Sequence, residues 1–191
     1  MNEIVKISHY SPKSARLRID NRLVAAKAKP GQFVIIKFSE DGLRIPFSIV
    51  DCDKETGLID VIMHRAFGLD EVLGGMTEGS VLPDLLGPLG QPAPVAKDKV
   101  VLFCGDGAGL VPLLPLIRAY KKNGCRVITV VSEQSSLTKC LVGDIIDDCI
   151  LVEVAPSSDI LPLVRERIRK YNVEKMVFLS LIHISEPTRP Y

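Results

Sequence analysis

A glycine-rich stretch that directly follows an apolar run limits the possible folds of this chain more than any other feature. Val100–Cys104 are all apolar, and Gly105-Asp106-Gly107-Ala108-Gly109 follow at once. Leu110–Asn123 then has the pattern of an amphipathic helix, and Gly124 is placed to end it. A strand, a glycine loop and a helix in this order predict the start of an α/β domain.

Strands and helices continue to alternate after this helix. The predicted elements are, in order, strands over Arg126–Ser132 and Ile150–Val154, a helix over Asp159–Tyr171 and a strand that begins at Glu174. This βαβαβ order predicts a parallel sheet with right-handed crossovers. We therefore assign residues 98–178 to a parallel-sheet α/β domain.

Residues 1–95 have a different pattern, in which short β-branched runs alternate with turn residues. The runs are Glu3–Ser8, Ala15–Asp20, Gln32–Phe38, Phe47–Asp51 and Ile59–His64. Five or six strands at this spacing predict a small closed β-barrel, with Leu69–Met76 as a short helix over one mouth. The proline-rich segment Gln91–Lys97 is the predicted boundary between this domain, 1–95, and the next.

Composition excludes several classes of function. The 191 residues have a formal net charge of +1, so the charge does not favour nucleic acid or an acidic membrane surface. The apolar runs are much shorter than the roughly 18–20 residues of a membrane span, and the first residues lack a signal-peptide pattern, which predicts a cytoplasmic protein. The five cysteines form no C-x-x-C pair, so we predict free thiols and no metal site in these residues.

The glycine loop is a candidate phosphate-binding site. Gly105, Gly107 and Gly109 lack side chains where a strand leads into a helix N-terminus, which lets backbone N–H groups approach a phosphate closely. Packing glycines in a tight βα turn are the alternative. Asp106 is discordant, because its carboxylate would repel a pyrophosphate unless it points away.

A second candidate site lies in Arg44-Ile45-Pro46-Phe47-Ser48. Arg44 can pair with a flavin pyrophosphate, and Ser48 can form a hydrogen bond with the edge of the isoalloxazine ring. Phe47 has a flat face for a ring or a ribose. The alternatives are a solvated charge at Arg44 and an ordinary core residue at Phe47.

Two further segments are candidates for the same site. His64 and Arg65 lie at the end of a predicted strand, although a structural histidine is the alternative. Gly87-Pro88-Leu89-Gly90 is either part of the site or a plain turn that closes the barrel.

These segments resemble the ferredoxin–NADP reductase-like family in their order and spacing. The resemblance rests on Pro30–Val34, Arg44–Ile49, Gly87–Gly90 and Gly105–Pro115, and it extends over roughly Asn2–Phe178. Within the family it is strongest toward the electron-transfer subunits of dihydroorotate dehydrogenase B and the small subunit of NADH-dependent ferredoxin:NADP oxidoreductase.

The resemblance implies a FAD-binding barrel of the ferredoxin reductase type followed by an NAD(P)-binding domain. It implies an oxidoreductase that moves electrons between NAD(P)H and a partner through FAD and a 2Fe–2S cluster, whose cysteines are not in these residues. The implied partner is a dehydrogenase or glutamate-synthase-like flavoprotein subunit, or ferredoxin. A nucleotide-binding module without turnover is the alternative.

The resemblance also implies a set of site residues, with Ser48 as the catalytic one. The candidate cofactor-binding residues are Arg44, Pro46, Phe47, Ser48, His64, Arg65, Gly68, Gly87, Pro88, Gly90, Gly105, Gly107 and Gly109. Arg44 lies one position further from Ser48 than in the commonest form of the motif. Gly68-Leu69-Asp70 stands where the family usually has a Thr or Ser after a glycine. Glu133 is placed to favour NADH over NADPH.

The last residues, 179–191, resemble the translation of a transposase adapter used in sequencing libraries. An ordinary polar C-terminus is the alternative. The adapter interpretation predicts that the natural protein continues differently after Phe178, with the rest of the NAD(P) domain and the cluster cysteines.

Overall fold

The structure is a computed structural model that describes residues 2–12, 14–64, 72, 74–105, 109–131, 141, 150–153 and 160–179. The chain divides into two compact units. The first contains Met1–Val95 together with Leu114–Ala119, and the second contains Ala96–Leu113 together with Tyr120–Tyr191. The division after Val95 falls inside the segment predicted as a linker, whereas the assignment of Leu114–Ala119 to the first unit was not predicted.

The first unit contains a six-stranded antiparallel sheet, which confirms the β-rich module. Its strands are β1 Glu3–Ser11, β2 Ser14–Asp20, β3 Phe33–Lys37, β4 Arg44–Asp53, β5 Leu58–His64 and β6 Asp84–Leu89, in the order β1-β2-β5-β4-β3-β6. A short helix that the sequence did not reveal, α1 Arg22–Lys27, follows β2. The Asn21 side chain caps α1 by accepting a hydrogen bond from the Val24 N–H at 2.9 Å.

The predicted closed barrel is incomplete in the part of the chain that the structure describes. The two edge strands, β1 and β6, do not pair there. Instead, the segment before β6 bridges to β1: the Ile4 N–H donates to Ser80 O at 2.8 Å, and the Leu82 N–H donates to Asn2 O at 2.9 Å. Pro83 follows directly and has no N–H to extend the pairing, which explains why a ladder does not continue.

The core of the first unit follows from the alternation of side chains along these strands. On β4, Phe47 and Ile49 are buried, whereas Arg44 and Pro46 are exposed. The partners of Phe47 in the core include the following fully buried side chains: Ile4, Leu17, Ile19, Val34, Ile36, Ile59 and Val61. The opposite face of the sheet is therefore available for polar side chains. Most of the helix predicted over Leu69–Met76 lies outside the described residues.

The second unit contains a four-stranded parallel sheet, as the βαβαβ pattern predicts. The elements are β7 Val100–Gly105, α2 Leu110–Lys122, β8 Arg126–Val131, β9 Ile150–Glu153, α3 Ile160–Tyr171 and β10 Lys175–Leu179. The strand order is β10-β7-β8-β9, so the neighbours of β7 lie on either side of it, reached by crossovers in opposite directions. In open α/β sheets, ligands bind at the carboxyl ends of strands at such a switch point.

Within the described ranges, no helix has the length and apolar character needed to cross a bilayer. The predicted tail begins at Leu179, which is the last residue of β10, and its remaining residues, 180–191, lie outside the described part.

Candidate functional site

The predicted flavin motif lies on the outer face of β4. The register places Lys37 opposite Arg44, Ile35 opposite Pro46 and Phe33 opposite Ser48. Because side chains alternate along a strand, these pairs lie on one side of the sheet. We call this surface the β4 face, and it consists of Phe33, Ile35, Lys37, Arg44, Pro46 and Ser48. Its two polar ends, Arg44 and Ser48, are about 13 Å apart along the strand.

The unusual spacing of the arginine is consistent with this face. Arg44 and Ser48 are four positions apart, and an even separation puts two side chains of a regular strand on the same side. The middle of the face is apolar, because Pro46 and Ile35 lie between the polar ends and Leu86 of β6 is opposite Ile35. Leu86 is 46% exposed, which is high for a leucine in a strand.

Arg44 is paired with a carboxylate that sequence reasoning missed. Its Nη2 lies 3.0 Å and its Nε 3.3 Å from the same oxygen, Asp84 Oδ2. Asp84 is opposite Lys37 on β3, and Lys37 is opposite Arg44, so the arginine side chain reaches across β3 to β6. The side chains are 59% and 30% exposed for Arg44 and Asp84, so solvent weakens this ion pair.

Phe47 does not lie on the β4 face. Its side chain is 6% exposed and contacts the Phe38 ring edge-on, with centroids 5.7 Å apart and an interplanar angle of 88°. The prediction that its ring offers a flat surface to a ligand is therefore wrong. Phe47 is one position out of phase with Arg44, Pro46 and Ser48, and alternation turns it into the core.

Gly87 and Pro88 form part of β6 and not a turn, which corrects the second interpretation of this segment. β6 is an edge strand, where a proline without an N–H is tolerated. The Gly87–Pro88 peptide bond is cis. A Cβ at Gly87 would lie 2.6 Å from Val34 Cγ1, so only a glycine fits there without movement of the core.

Gly90 is held at the end of β6 by residues of the segment Pro30–Val34. Gln32 Nε2 donates to Gly90 O at 2.8 Å, and the Lys29 N–H donates to Gln32 Oε1 at 2.9 Å. Gly90 has a φ of +79°, and a Cβ there would lie 3.0 Å from Phe33 Cε1. Gln32 thus fixes the Gly90 turn beside Phe33, and Phe33 is the residue opposite Ser48. The position of Gln32 in the sequence did not indicate this role.

His64 is the last residue of β5 and lies opposite Ser14. Its Nδ1 is buried and has no hydrogen-bond partner in the described part of the chain. A buried polar atom of this kind normally requires a partner, which makes His64 a candidate ligand contact. Arg65 and Gly68, with the Gly68-Leu69-Asp70 segment, lie outside the described residues.

The glycine loop begins at the carboxyl end of β7. Gly105 is the last residue of β7, in register with Leu179 of β10 and Val131 of β8. A Cβ at Gly105 would lie 3.1 Å from Leu110 Cδ2 and from Leu113 Cδ1, so this glycine lets α2 pack closely on the strand. Gly109 is buried and directly precedes α2. Asp106, Gly107 and Glu133 lie outside the described residues.

The cysteines of the described ranges do not fit a metal or an iron–sulfur cluster. Cys104 and Cys125 are buried free thiols, and Cys52 is half-buried. Burial raises the pKa of the Cys104 thiol to about 11, which disfavours the thiolate that ligates iron. In those ranges no group of three His, Cys, Asp or Glu side chains is placed to hold a metal ion.

Comparisons with known proteins agree with this architecture. No protein-family model matches the chain. It is 32% identical over 154 residues to the dihydroorotate dehydrogenase B (NAD(+)) electron transfer subunit homolog of Thermotoga maritima, covering 80% of this chain and 55% of that protein. It is 34% identical over 134 residues to the dihydroorotate dehydrogenase B (NAD(+)) electron transfer subunit of Shouchella clausii, covering 67% and 51%. The chain thus spans about half the length of these relatives.

A solved structure of an NADH-dependent reduced ferredoxin–NADP oxidoreductase, described in connection with flavin-based electron bifurcation, superposes with a TM-score of 0.80 at 25% identity. The match covers 95% of this chain and 68% of that one. An antiparallel sheet followed by a parallel α/β unit, together with this match, defines a ferredoxin reductase-like fold. Within that class, the chain is a homologue of the electron-transfer subunits of dihydroorotate dehydrogenase B.

Proposed function

We propose that this chain is the FAD- and NAD(P)-binding part of an oxidoreductase electron-transfer subunit. One observation carries the proposal: a strand face with an arginine at one end and a serine at the other precedes, in the same chain, a glycine loop at the switch point of a parallel sheet. The names of the relatives, which are electron-transfer subunits, support the same function.

The β4 face has the chemistry that FAD needs. Arg44 can donate charge-assisted hydrogen bonds to phosphate oxygens, and the Ser48 hydroxyl can donate to or accept from a polar ring edge. The apolar middle of the face, with Pro46, Ile35 and Leu86, suits the uncharged parts of an extended ligand. When bound, FAD supplies hydride acceptance and the release of single electrons.

His64 and Gln32 add to this fit in different ways. His64 Nδ1 is a buried polar atom without a hydrogen-bond partner among the residues that the structure describes, and a ligand group can satisfy it. Gln32 keeps Gly90 in place beside Phe33, and Phe33 is opposite Ser48, so Gln32 is a positioning residue in the proposed site. The role of Ser48 is to hold the reacting edge of the ring through a hydrogen bond.

NAD(P) is proposed to bind at the carboxyl ends of β7 and β10. Backbone N–H groups at the N-terminus of α2 carry a partial positive charge that favours a phosphate. Gly105 permits the close packing of α2 that brings this N-terminus to the end of the strand. The preference for NADH through Glu133 stays a prediction.

The identity of the partner and the 2Fe–2S cluster stay predictions. The proposed partner is a catalytic dehydrogenase or glutamate-synthase-like subunit, or ferredoxin. The described cysteines do not fit a cluster, so its ligands would have to come from residues outside the described ranges. A cytoplasmic location also stays a prediction.

A nucleotide-binding module without turnover is the second candidate function. It is favoured by the ion pair between Arg44 and Asp84, because a carboxylate already occupies the arginine that the flavin phosphates would need. The two functions differ in a direct test. An electron-transfer subunit binds FAD with visible absorption, and the flavin bleaches when NADH or NADPH is added without oxygen.

The decisive variant is Arg44→Ala in the 191-residue chain. We expect it to weaken FAD binding by roughly ten- to a hundredfold, because this is the loss of affinity that corresponds to one lost charge-assisted hydrogen bond. Arg165→Ala, which removes an exposed arginine of α3, is the matched control and should bind FAD like the parent. FAD affinity is measured by quenching of flavin fluorescence. Equal affinity of the Arg44 variant and the control would show that the arginine assignment is wrong.

A further inference from the structure

A small cationic cavity lies on β1 and β2, away from the β4 face. It has a volume of about 130 Å³ and is lined by Lys6, Ser8, Arg16 and Arg18. Lys6 is opposite Arg18, and Ser8 is opposite Arg16, so all four side chains point to the same side of the sheet. We call it the β1–β2 cavity.

A buried carboxylate holds both arginines of this cavity in place. Asp60 of β5 is opposite Arg18, and its side chain is only 3% exposed. Arg18 Nε and Nη2 each lie 2.8 Å from an Asp60 oxygen, and Arg16 Nε lies 2.9 Å from Oδ2. Two arginines that are fixed before a ligand arrives lose little conformational freedom on binding it.

The charges of the network persist across the physiological range. Burial acts to raise the pKa of Asp60, but the hydrogen bonds and positive charges of Arg18 and Arg16 outweigh it, and the pKa is lowered. Burial acts to lower the pKa of Arg16, but Asp60 outweighs it, so that pKa is raised. The cavity therefore stays cationic wherever the protein is folded near neutral pH.

Three cationic side chains line the β1–β2 cavity, and the carboxylates that act on them belong to neighbouring strands. Lys6 and Arg18 are like charges at directly opposed positions, an arrangement that destabilises a sheet. Asp60, on the neighbouring strand β5, offsets one of the three cations. Asp51 Oδ2 makes a longer contact of 3.4 Å with Arg16 Nη2, and Tyr10 also interacts with the Arg16 guanidinium. Asp51, Asp53 and Asp60 line a separate pocket of about 320 Å³ that shares Arg18. Among the residues that the structure describes, no carboxylate belongs to the lining of the β1–β2 cavity.

We propose that the β1–β2 cavity binds a phosphate group, as inorganic phosphate or as a small phosphate monoester. A tetrahedral oxyanion fits a cavity of this size, and Lys6, the Ser8 hydroxyl and the arginine N–H groups that do not donate to Asp60 can supply the donors. A bound phosphate also removes the repulsion between Lys6 and Arg18. The site does not depend on the proposed flavin and NAD(P) sites.

The test measures binding of inorganic phosphate by calorimetry, with sodium chloride at equal ionic strength as the reference. The variants are Lys6→Ala and Ser8→Ala, because removing either arginine would leave Asp60 with one fewer partner and endanger the fold. Lys27→Ala, an exposed lysine of α1, is the control with the same change of charge. We expect Lys6→Ala to weaken phosphate binding about tenfold and Lys27→Ala to leave it unchanged.

Two further measurements complete the experiment. Glycerol phosphate in place of inorganic phosphate distinguishes the two possible ligands: tighter binding of the ester identifies a phosphate monoester, and weaker binding identifies free phosphate. Arg44→Ala should bind phosphate like the parent, which separates this cavity from the proposed flavin site. The proposal is overturned if phosphate binds no better than chloride, or if Lys6→Ala and Ser8→Ala both bind it as tightly as Lys27→Ala.

Discussion

The β4 face and the glycine loop are assembled by different rules. On the β4 face, strand register brings the candidate residues together, since Phe33 faces Ser48 and Lys37 faces Arg44 across two strands. In the glycine loop, consecutive residues lie together whatever the rest of the fold does. A loop motif therefore predicts its own position, whereas a strand motif predicts a site only once alternation and register are known.

The two regions also share a feature: in each, a residue proposed to contact the ligand has a role in the structure of the protein as well. Arg44 is paired with Asp84, and Gly105 makes room for Leu110 and Leu113. Variants that separate the structural role from ligand binding are therefore the most informative experiments.

The largest expected effect is that of Phe47→Ala. The ring is 6% exposed and packs in the core of the first unit, and such a truncation costs about 3–5 kcal/mol of unfolding free energy. Urea denaturation measures this loss. Phe47→Leu, which keeps most of the volume, should cost less than about 1.5 kcal/mol and leave FAD affinity unchanged. A loss of FAD affinity in Phe47→Leu at unchanged stability would instead place the ring against the flavin.

The outcome at Phe47 shows what the sequence can and cannot predict about the β4 face. The motif correctly located a strand, because its β-branched and aromatic residues have the propensity for one. Whether Phe47 points into the core or away from it depends on which alternate positions of the strand face the core. A motif of only five residues does not determine this. The pairing of Arg44 with Asp84 depends on the strand order β4-β3-β6, which the sequence does not reveal for two residues that are 40 positions apart.

The second unit was easier to predict for a physical reason. Its strands are short continuous apolar runs, and β7 was predicted to within one residue, as Val100–Cys104 against Val100–Gly105. In parallel strands that are buried on both faces, nearly every side chain is apolar, so the prediction does not depend on which alternate positions face the core. β6 was missed because Gly87-Pro88 is typical of a turn, whereas an edge strand also tolerates it. The six-residue helix α1 is too short for a periodic signal.

A smaller effect is expected from Gly105→Ala. Its added methyl group would meet Leu110 Cδ2 and Leu113 Cδ1 at 3.1 Å, and overpacking of this kind costs about 1–3 kcal/mol. We expect a lower melting temperature, measured by circular dichroism, because the methyl group points at α2. Gly107→Val is the companion variant and should weaken NADH binding, measured by calorimetry, without affecting bound flavin. If Gly105→Ala is as stable as the parent and yet loses NADH, then contact with the nucleotide and not packing accounts for this glycine.

The smallest expected effect concerns Asp84, and a double-mutant cycle with Arg44 measures it. Arg44 is a long side chain that is 59% exposed, and Asp84 restrains it across β3. An exposed ion pair contributes about 0.2–1 kcal/mol, so Asp84→Ala should weaken FAD binding by no more than about fivefold. Asp84→Asn keeps an oxygen that accepts from Arg44 and should have less effect.

The cycle distinguishes restraint of the arginine from competition for it. If Asp84 acts by positioning Arg44, its removal has no cost in the Arg44→Ala background, because there is no arginine left to restrain. If the carboxylate instead competes with flavin phosphates, Asp84→Ala and Asp84→Asn both tighten FAD binding while Arg44 is present. That second result would mean that the β4 face is held in a form that resists the flavin, as the nucleotide-binding module without turnover requires.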